Sequence, residues 1–395
     1  MNGRPWSVVA VLFLLAFITI VDRVCISAAK SGMAADLGIS DLSFGLVFGA
    51  FALGYAVFMA PSGWASDTFG PRRFLLWIVC LWSLFTLATG LVRTLPLLIA
   101  TRFLFGGAEA GAFPAAARAI YSWLPERQRG LALGLLNTGS RLGAAFGLAA
   151  ISLSVSRFGW RMSFLFLGTM GFAWVTWWYF QFRDNSTHQN QPEETRIPSH
   201  WRSLLSGNSA LILIQYFASN FTFFICFSWL LPYIRDRFGL SPAQAGFYAS
   251  IPLYCGAAAA WTGGLAVDWI YRRGRRTLSR RLPAIAGFAI AVISLIAAAH
   301  MQSTQTFIAC FALTTFGVDF TLSPSWTVCS DVAGNRTGTL SGAMNTMGSL
   351  GSFGSSICFP WLLGLTGNIK TYFYTAALLN LIAIACWWRI RCRHT

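Results

Sequence analysis

Apolar runs of bilayer-spanning length begin near residues 6, 42, 74, 95, 129, 160, 208, 241, 282, 304, 337 and 369, and short polar connectors separate them. A helix needs about 20 mostly apolar residues to cross the hydrocarbon, and only helices and closed barrels satisfy their own backbone there. The expected fold is an all-α membrane protein with twelve transmembrane helices. Of 395 residues, 55% are hydrophobic and 11% charged, which is more apolar surface than a soluble domain can show to water. The first run resembles a signal peptide, with Arg4 before it, but it continues through Asp22 and Arg23 without a cleavage site.

The formal net charge of +16 would suggest a nucleic-acid partner in a soluble protein. Here the arginines gather in short connectors, among them Arg72, Arg73, Arg127, Arg129 and the group from Arg272 to Arg281, while the opposite connectors hold few. By the positive-inside rule both termini are then cytoplasmic, and the bilayer, not nucleic acid, is the partner. For the Arg272 to Arg281 group, anionic headgroups are the expected contact. The nine cysteines form no C-x-x-C pair and read as small core residues, with no metal site among them. Most of the 17 tryptophans, Trp6, Trp387 and Trp388 included, are expected in interfacial belts.

The polar stretch 183–206 divides the chain into a bundle over residues 1–182 and a second over 207–395. These halves repeat. Gly130-x-x-x-Gly134-x-x-Asn137-Thr138 returns as Gly338-x-x-x-Gly342-x-x-Asn345-Thr346, and Gly143 finds Gly351 at the same offset. Likewise Gly63-x-x-x-Asp67 returns as Gly264-x-x-x-Asp268, each followed by a basic connector. Two parallel six-helix repeats put a substrate site at their interface near the midplane. The glycines serve close helix packing.

Leu95 to Tyr121 is long enough to span, yet it holds Arg102, Glu109 and Arg118. Ionised groups at that depth are costly and normally face a partner or a cavity. Arg102 and Glu109 lie two helical turns apart, on one face, and Pro114 is expected to bend the helix just below them.

The motifs together resemble the major facilitator superfamily, and within it the anion:cation symporter family of galactonate, hexuronate and glucarate transporters and sialin. The loop GWASDTFGPRR from Gly63 to Arg73 is similar to the superfamily signature. The narrower likeness rests on Asp22-Arg23, on YAVFMAP from Tyr55 to Pro61, and on the Arg102 to Gly130 stretch with EAGAFP from Glu109 to Pro114. SPSWTVCSD from Ser323 to Asp331, Asn345 and Gly159-Trp160-Arg161 complete it. The resemblance implies that Asp22 and Glu109 are proton-coupling acids and that Arg23 and Arg102 assist charge balance or anion binding. It also implies that Tyr55, Ser323, Trp326 and Asn345 contact a polyhydroxylated acid. Ser140 stands where some members have a glutamine.

Each of these readings has a plainer rival. Asp22 and Glu109 are either coupling acids or structural partners of Arg23 and Arg102. Arg141 is either a second carboxylate ligand or a permanent counter-ion. Asp319, one turn before Ser323, either pairs with Arg141, adds a third proton site or forms a local polar bridge. Asp67, Arg72, Arg73 and Asp268 read as a cytoplasmic gate or as surface anchors, and Arg118 as a latch or a snorkelling cation. Tyr55 and Trp326 either stack on a sugar acid or simply pack.

The leading expectation is a monomeric, proton-coupled importer of a small organic anion such as a hexonate or hexuronate. Importers of other carboxylates, a uniporter or exchanger, and a non-transporting anion sensor are the alternatives. No cofactor beyond the proton is expected. Neither a phosphate-binding loop nor a nucleophile elbow supports an enzyme.

Overall fold

The computed structural model describes residues 5–124, 126–182, 207–333 and 337–390, apart from a few side chains, Asp67 and Asn137 among them. The described residues are helical, in chain order α1 (Pro5–Leu37), α2 (Asp41–Phe69), α3 (Pro71–Leu91), α4 (Leu95–Glu109), α5 (Ala112–Trp123), α6 (Glu126–Gln181) and α7 (Gly207–Phe224). There follow α8 (Leu230–Phe238), α9 (Pro242–Arg272), α10 (Arg276–Ala298), α11 (Thr304–Phe320), α12 (Leu322–Ala333), α13 (Thr337–Thr366) and α14 (Lys370–Arg389). Each apolar run has its helix. The run starting near residue 95 is split into α4 and α5, that near 208 into α7 and α8, and that near 304 into α11 and α12. The runs near 129 and 160 are joined in α6 across a corner at Gly159.

Two of the splits have one physical cause. The ring of a proline inside a helix clashes with the carbonyl four residues earlier and leaves that carbonyl without its donor. For Pro114 that carbonyl belongs to Ala110, and α4 ends at Glu109. For Pro324 it belongs to Phe320, where α11 ends. The interruption thus falls four residues before the proline, directly after Glu109, just below the charged pair as expected.

The described residues fall into two compact units, one of residues 5–39 and 50–182, the other of residues 40–49 and 207–390. In the first, α1 and α3 pack along α6. In the second, α7 packs along α13 and α14, and α11 along α9 and α10. The first turns of α2 belong to the second unit because Gly45 and Gly49 close on Ser356 and Phe353 of α13. The stretch 183–206 lies outside the described residues.

Within each unit the repeat is legible in the backbone. The positive-φ glycines among the described residues are Gly38, Gly70, Gly159, Gly239, Gly274 and Gly367. They form three pairs at matching connections: Gly38 with Gly239, Gly70 with Gly274, and Gly159 with Gly367. Only glycine enters the left-handed region without a steric penalty, so the same corners are built twice by the same residue. The packing repeats as well. A Cβ on Gly143 would strike the carbonyl of Phe17, and one on Gly351 the carbonyl of Phe217. The fifth helix of each repeat therefore meets the first at one register, as the glycine spacing implied.

Large apolar side chains such as Phe180, Trp261, Ile293 and Trp388 are 70–75% exposed, which suits lipid and not water. The belt expectation fails at Trp387. It is fully buried, and its Nε1–H donates to Gln215 Oε1 at 3.3 Å, because an indole buried in a helix bundle needs an acceptor. Trp174 and Trp178 are also interior, stacked at 5.2 Å and donating to the carbonyls of Val11 and Arg72. The cysteines described are all free, in keeping with a packing role.

Candidate functional site

Four ionisable side chains meet inside the first unit. α1 carries Asp22 and Arg23 mid-helix, and α4 carries Arg102 and, as its last residue, Glu109. Asp22, Arg102 and Glu109 are 1%, 2% and 0% exposed. Arg23 Nε donates to Glu109 Oε2 at 2.8 Å, so the ion pair runs between helices and not along α4. Charge separated by this distance in a site of low dielectric interacts far more strongly than in water.

Aromatic rings complete the cluster. The Arg23 guanidinium lies 4.8 Å from the Tyr55 ring centroid and 5.2 Å from that of Phe51. Arg102 lies 4.4 Å from Phe105 and 5.5 Å from Phe51. Ring faces stabilise a cation without neutralising it. Both carboxylate oxygens of Asp22, Oε1 of Glu109, Nη2 of Arg23 and Nε of Arg102 are buried without a hydrogen-bond partner. Buried polar atoms in native proteins nearly always have partners, so this cluster is built to engage something further or to rearrange.

On α6, Ser140 and Arg141 are both half-buried, and the Ser140 hydroxyl has no partner. Arg141 has an interaction partner of its own.

The second unit holds the remaining candidates. Ser323 on α12 is half-buried and reaches the Ala260 carbonyl of α9 at 3.5 Å, while Trp326 is 43% exposed. Asn345 Nδ2 donates to the Ser341 carbonyl of its own helix at 3.0 Å, which leaves its amide oxygen for another contact. Asp319 is 2% exposed near the end of α11. Neutral polar groups are also buried in this unit. Gln215 accepts from Ser325 and Trp387, and Asn380 donates to Thr222 at 2.9 Å.

Of the gate residues, Arg72 donates to the Tyr179 carbonyl at 3.1 Å and stacks on that ring, which ties the start of α3 to the end of α6. Arg73 and Asp268 are exposed, Arg118 is half-buried, and the Asp67 side chain lies outside the described residues. Headgroup contact does not describe the whole Arg272 to Arg281 group. Arg276 and Arg280 bridge Asp331 on α12 at 3.1 and 3.0 Å, and Arg281 donates twice to the Ile390 carbonyl after α14. A connector arginine one turn into a helix can reach inward, and the acid at the end of SPSWTVCSD supplies the reason. A further clasp closes the other end of the first unit. Trp160 donates to Asp36 at 2.8 Å, and Arg161 donates to the carbonyls of Gly90 and Val92 at the end of α3.

Residues 12–356 match the Major Facilitator Superfamily. A probable sulfoacetate transporter of Cupriavidus necator is 28% identical, covering 96% of this chain and 92% of its own length. A probable galactarate/D-glucarate transporter of Escherichia coli is also 28% identical, covering 97% of this chain and 92% of its own. Among solved structures, a bacterial homolog of the human lysosomal transporter Spinster, inward-facing and occupied, superposes with a TM-score of 0.82 at 18% identity. That likeness covers 98% of this chain and 97% of the other.

Proposed function

We propose that this chain, which belongs to the Major Facilitator Superfamily, is a proton-coupled symporter of a small organic anion that works by alternating access. Membership makes it a multi-pass membrane transporter and not an enzyme. The single observation that supports coupling is the buried cluster of two acids and two arginines, in which Glu109 holds Arg23 at 2.8 Å and Asp22 has no hydrogen-bond partner.

Physical chemistry links the cluster to transport. A guanidinium beside a buried carboxyl favours the carboxylate, and apolar burial favours the neutral acid. An arginine that leaves its acid to grip a substrate carboxylate therefore raises that acid's proton affinity, and the acid takes a proton from the outer aqueous phase. The substrate charge is balanced by the arginine, the acid is neutral, and the cavity closes at lower electrostatic cost. Release of substrate inward returns the arginine and expels the proton. In this reading Asp22 and Glu109 carry protons, while Arg23 and Arg102 alternate between acid and anion. Tyr55, Ser140, Ser323, Trp326 and Asn345 contact the hydroxylated body of a sugar acid such as a hexonate or hexuronate. Asp67, Arg72, Arg73, Arg118 and Asp268 control cytoplasmic access, and both termini lie on that side of twelve crossings.

A second substrate reading, a dianion, is supported by Arg141. It adds a half-buried cation to the first unit, and the two relatives described above are named for sulfoacetate and for galactarate or glucarate, each with two anionic groups.

The test is uptake of radiolabelled hexonates, hexuronates, D-glucarate and sulfoacetate into proteoliposomes, with and without an inward proton gradient. Accumulation of one acid only with the gradient, and its loss in Asp22→Asn and Glu109→Gln, is expected. Equilibration that ignores the gradient would make the acids structural, and binding without uptake would leave a sensor.

A further inference from the structure

The two proline-broken helices are copies of one device. At a constant offset Gly107 matches Gly317, Glu109 matches Asp319 and Pro114 matches Pro324. Each acid stands in the last turn of its helix, Glu109 as the final residue of α4 and Asp319 one before the end of α11, five residues ahead of the proline. Both are buried, Glu109 at 0% and Asp319 at 2% exposure. From this geometry we infer that Asp319 is a third coupling acid, which takes a proton from the outer aqueous phase onto its carboxylate and releases it to the inner one in each cycle.

The surroundings of the two acids differ in a way that suits such a role. On the offset that pairs Gly63 with Gly264, Tyr55 matches Gly256. Gly256 on α9 has its bare backbone against Asp319, where any Cβ would strike Oδ2 and come within 3.0 Å of Thr315. The room that a ring occupies in the first repeat thus holds a carboxyl in the second. On the register that seats Gly143 on Phe17 and Gly351 on Phe217, Arg23 matches Phe223, and the position of Arg102 is Ala312. The second copy keeps the acid without copying its arginines. Among the helices packed against α11, the link after α7 brings the Cys226 thiol within electrostatic range of Asp319, and Tyr254 and Cys255 flank Gly256 on α9. α10 and α12 commit Arg276, Arg280 and Asp331 to their own ion pair.

The inference rests on the proton-coupled reading, so the experiment separates the two. Infrared difference spectra of the full-length protein in lipid, recorded through a pH titration, report each buried carboxyl by its protonated C=O band and need no substrate. Asp319→Asn is expected to remove one titrating band while the bands lost in Asp22→Asn and Glu109→Gln persist. Asp319→Glu is expected to restore a shifted band, and Gly256→Ala, which presses on the carboxyl without removing it, to move the native one. In parallel, proteoliposomes loaded with a pH dye and given radiolabelled D-glucarate report protons carried per anion, a ratio expected to fall in Asp319→Asn and to recover in Asp319→Glu. An unchanged titration in Asp319→Asn overturns the inference and leaves the proton-coupled reading intact. Wild-type uptake indifferent to the gradient overturns that reading, and with it any coupling role for Asp319.

Discussion

The two repeats share a backbone plan and differ in what they bury. In the first, the crossing of α1 and α4 is ionic, with Asp22, Arg23, Arg102 and Glu109 brought together. In the second, α7 is interrupted after Phe224, and its interior is served by neutral groups, Gln215, Thr222, Ser325 and Asn380, with Asp319 as the buried acid. Glycine corners and glycine-on-backbone contacts recur in both, so they belong to the fold. The four-member cluster of acids and arginines does not recur, so it belongs to the task. A pair of buried ions adds little net stability over apolar packing, and the clustering of four ionisable groups in the first repeat is best explained by chemistry performed there.

The largest effect that sharpens this contrast is expected from Glu109→Gln. Removing one partner of a buried ion pair costs about 3–5 kcal/mol. Gradient-driven uptake is expected to drop by about 100-fold or more, read as initial rates in proteoliposomes. Survival of accumulation would break the comparison at its centre.

Packing gives the next effect. Gly143→Leu and Gly351→Leu each force a side chain into a helix contact and are expected to destabilise by about 1–3 kcal/mol. Thermal unfolding of the purified variants should fall by similar amounts, and a large inequality would show that the two registers are not equivalent.

Corners follow. Gly159→Ala and Gly367→Ala place a Cβ at φ values of +79 and +62, at about 1–2 kcal/mol each. Neither is expected to alter the proton dependence of uptake. The smallest effect belongs to the neutral interior of the second repeat. Asn380→Leu removes one donor from Thr222, which still donates to the Ala218 carbonyl, at about 1 kcal/mol. Its proton-to-substrate ratio should match the wild type.

Helix existence and type could be read in the sequence because an apolar run of bilayer length has few other fates. The glycine repeats also reported the packing register, since Gly143 and Gly351 do close on Phe17 and Phe217. Sequence named Arg23 and Arg102 as candidate partners of the acids without choosing between them. Spacing along α4 placed Arg102 and Glu109 on one face, yet Glu109 pairs with Arg23 of another helix, because contact across a bundle depends on a crossing that no local period encodes. The same holds for Arg276 and Arg280, which look like surface charge until α12 brings Asp331 to them. Proline both marked and located the defect just below Glu109. Its position matches the carbonyl four residues upstream, as at Pro324, whereas Pro61, Pro252 and Pro360 lie inside helices that continue through them.

The paired glycine corners also bear on how the chain is laid into a bilayer. A connection such as that at Gly159, where α6 turns back with no loop, leaves the two flanking helices no length of chain in which to enter separately. Helices joined in that way go in as hairpins. Because the corners at Gly38, Gly70 and Gly159 recur at Gly239, Gly274 and Gly367, the second half of the protein retraces the insertion order of the first.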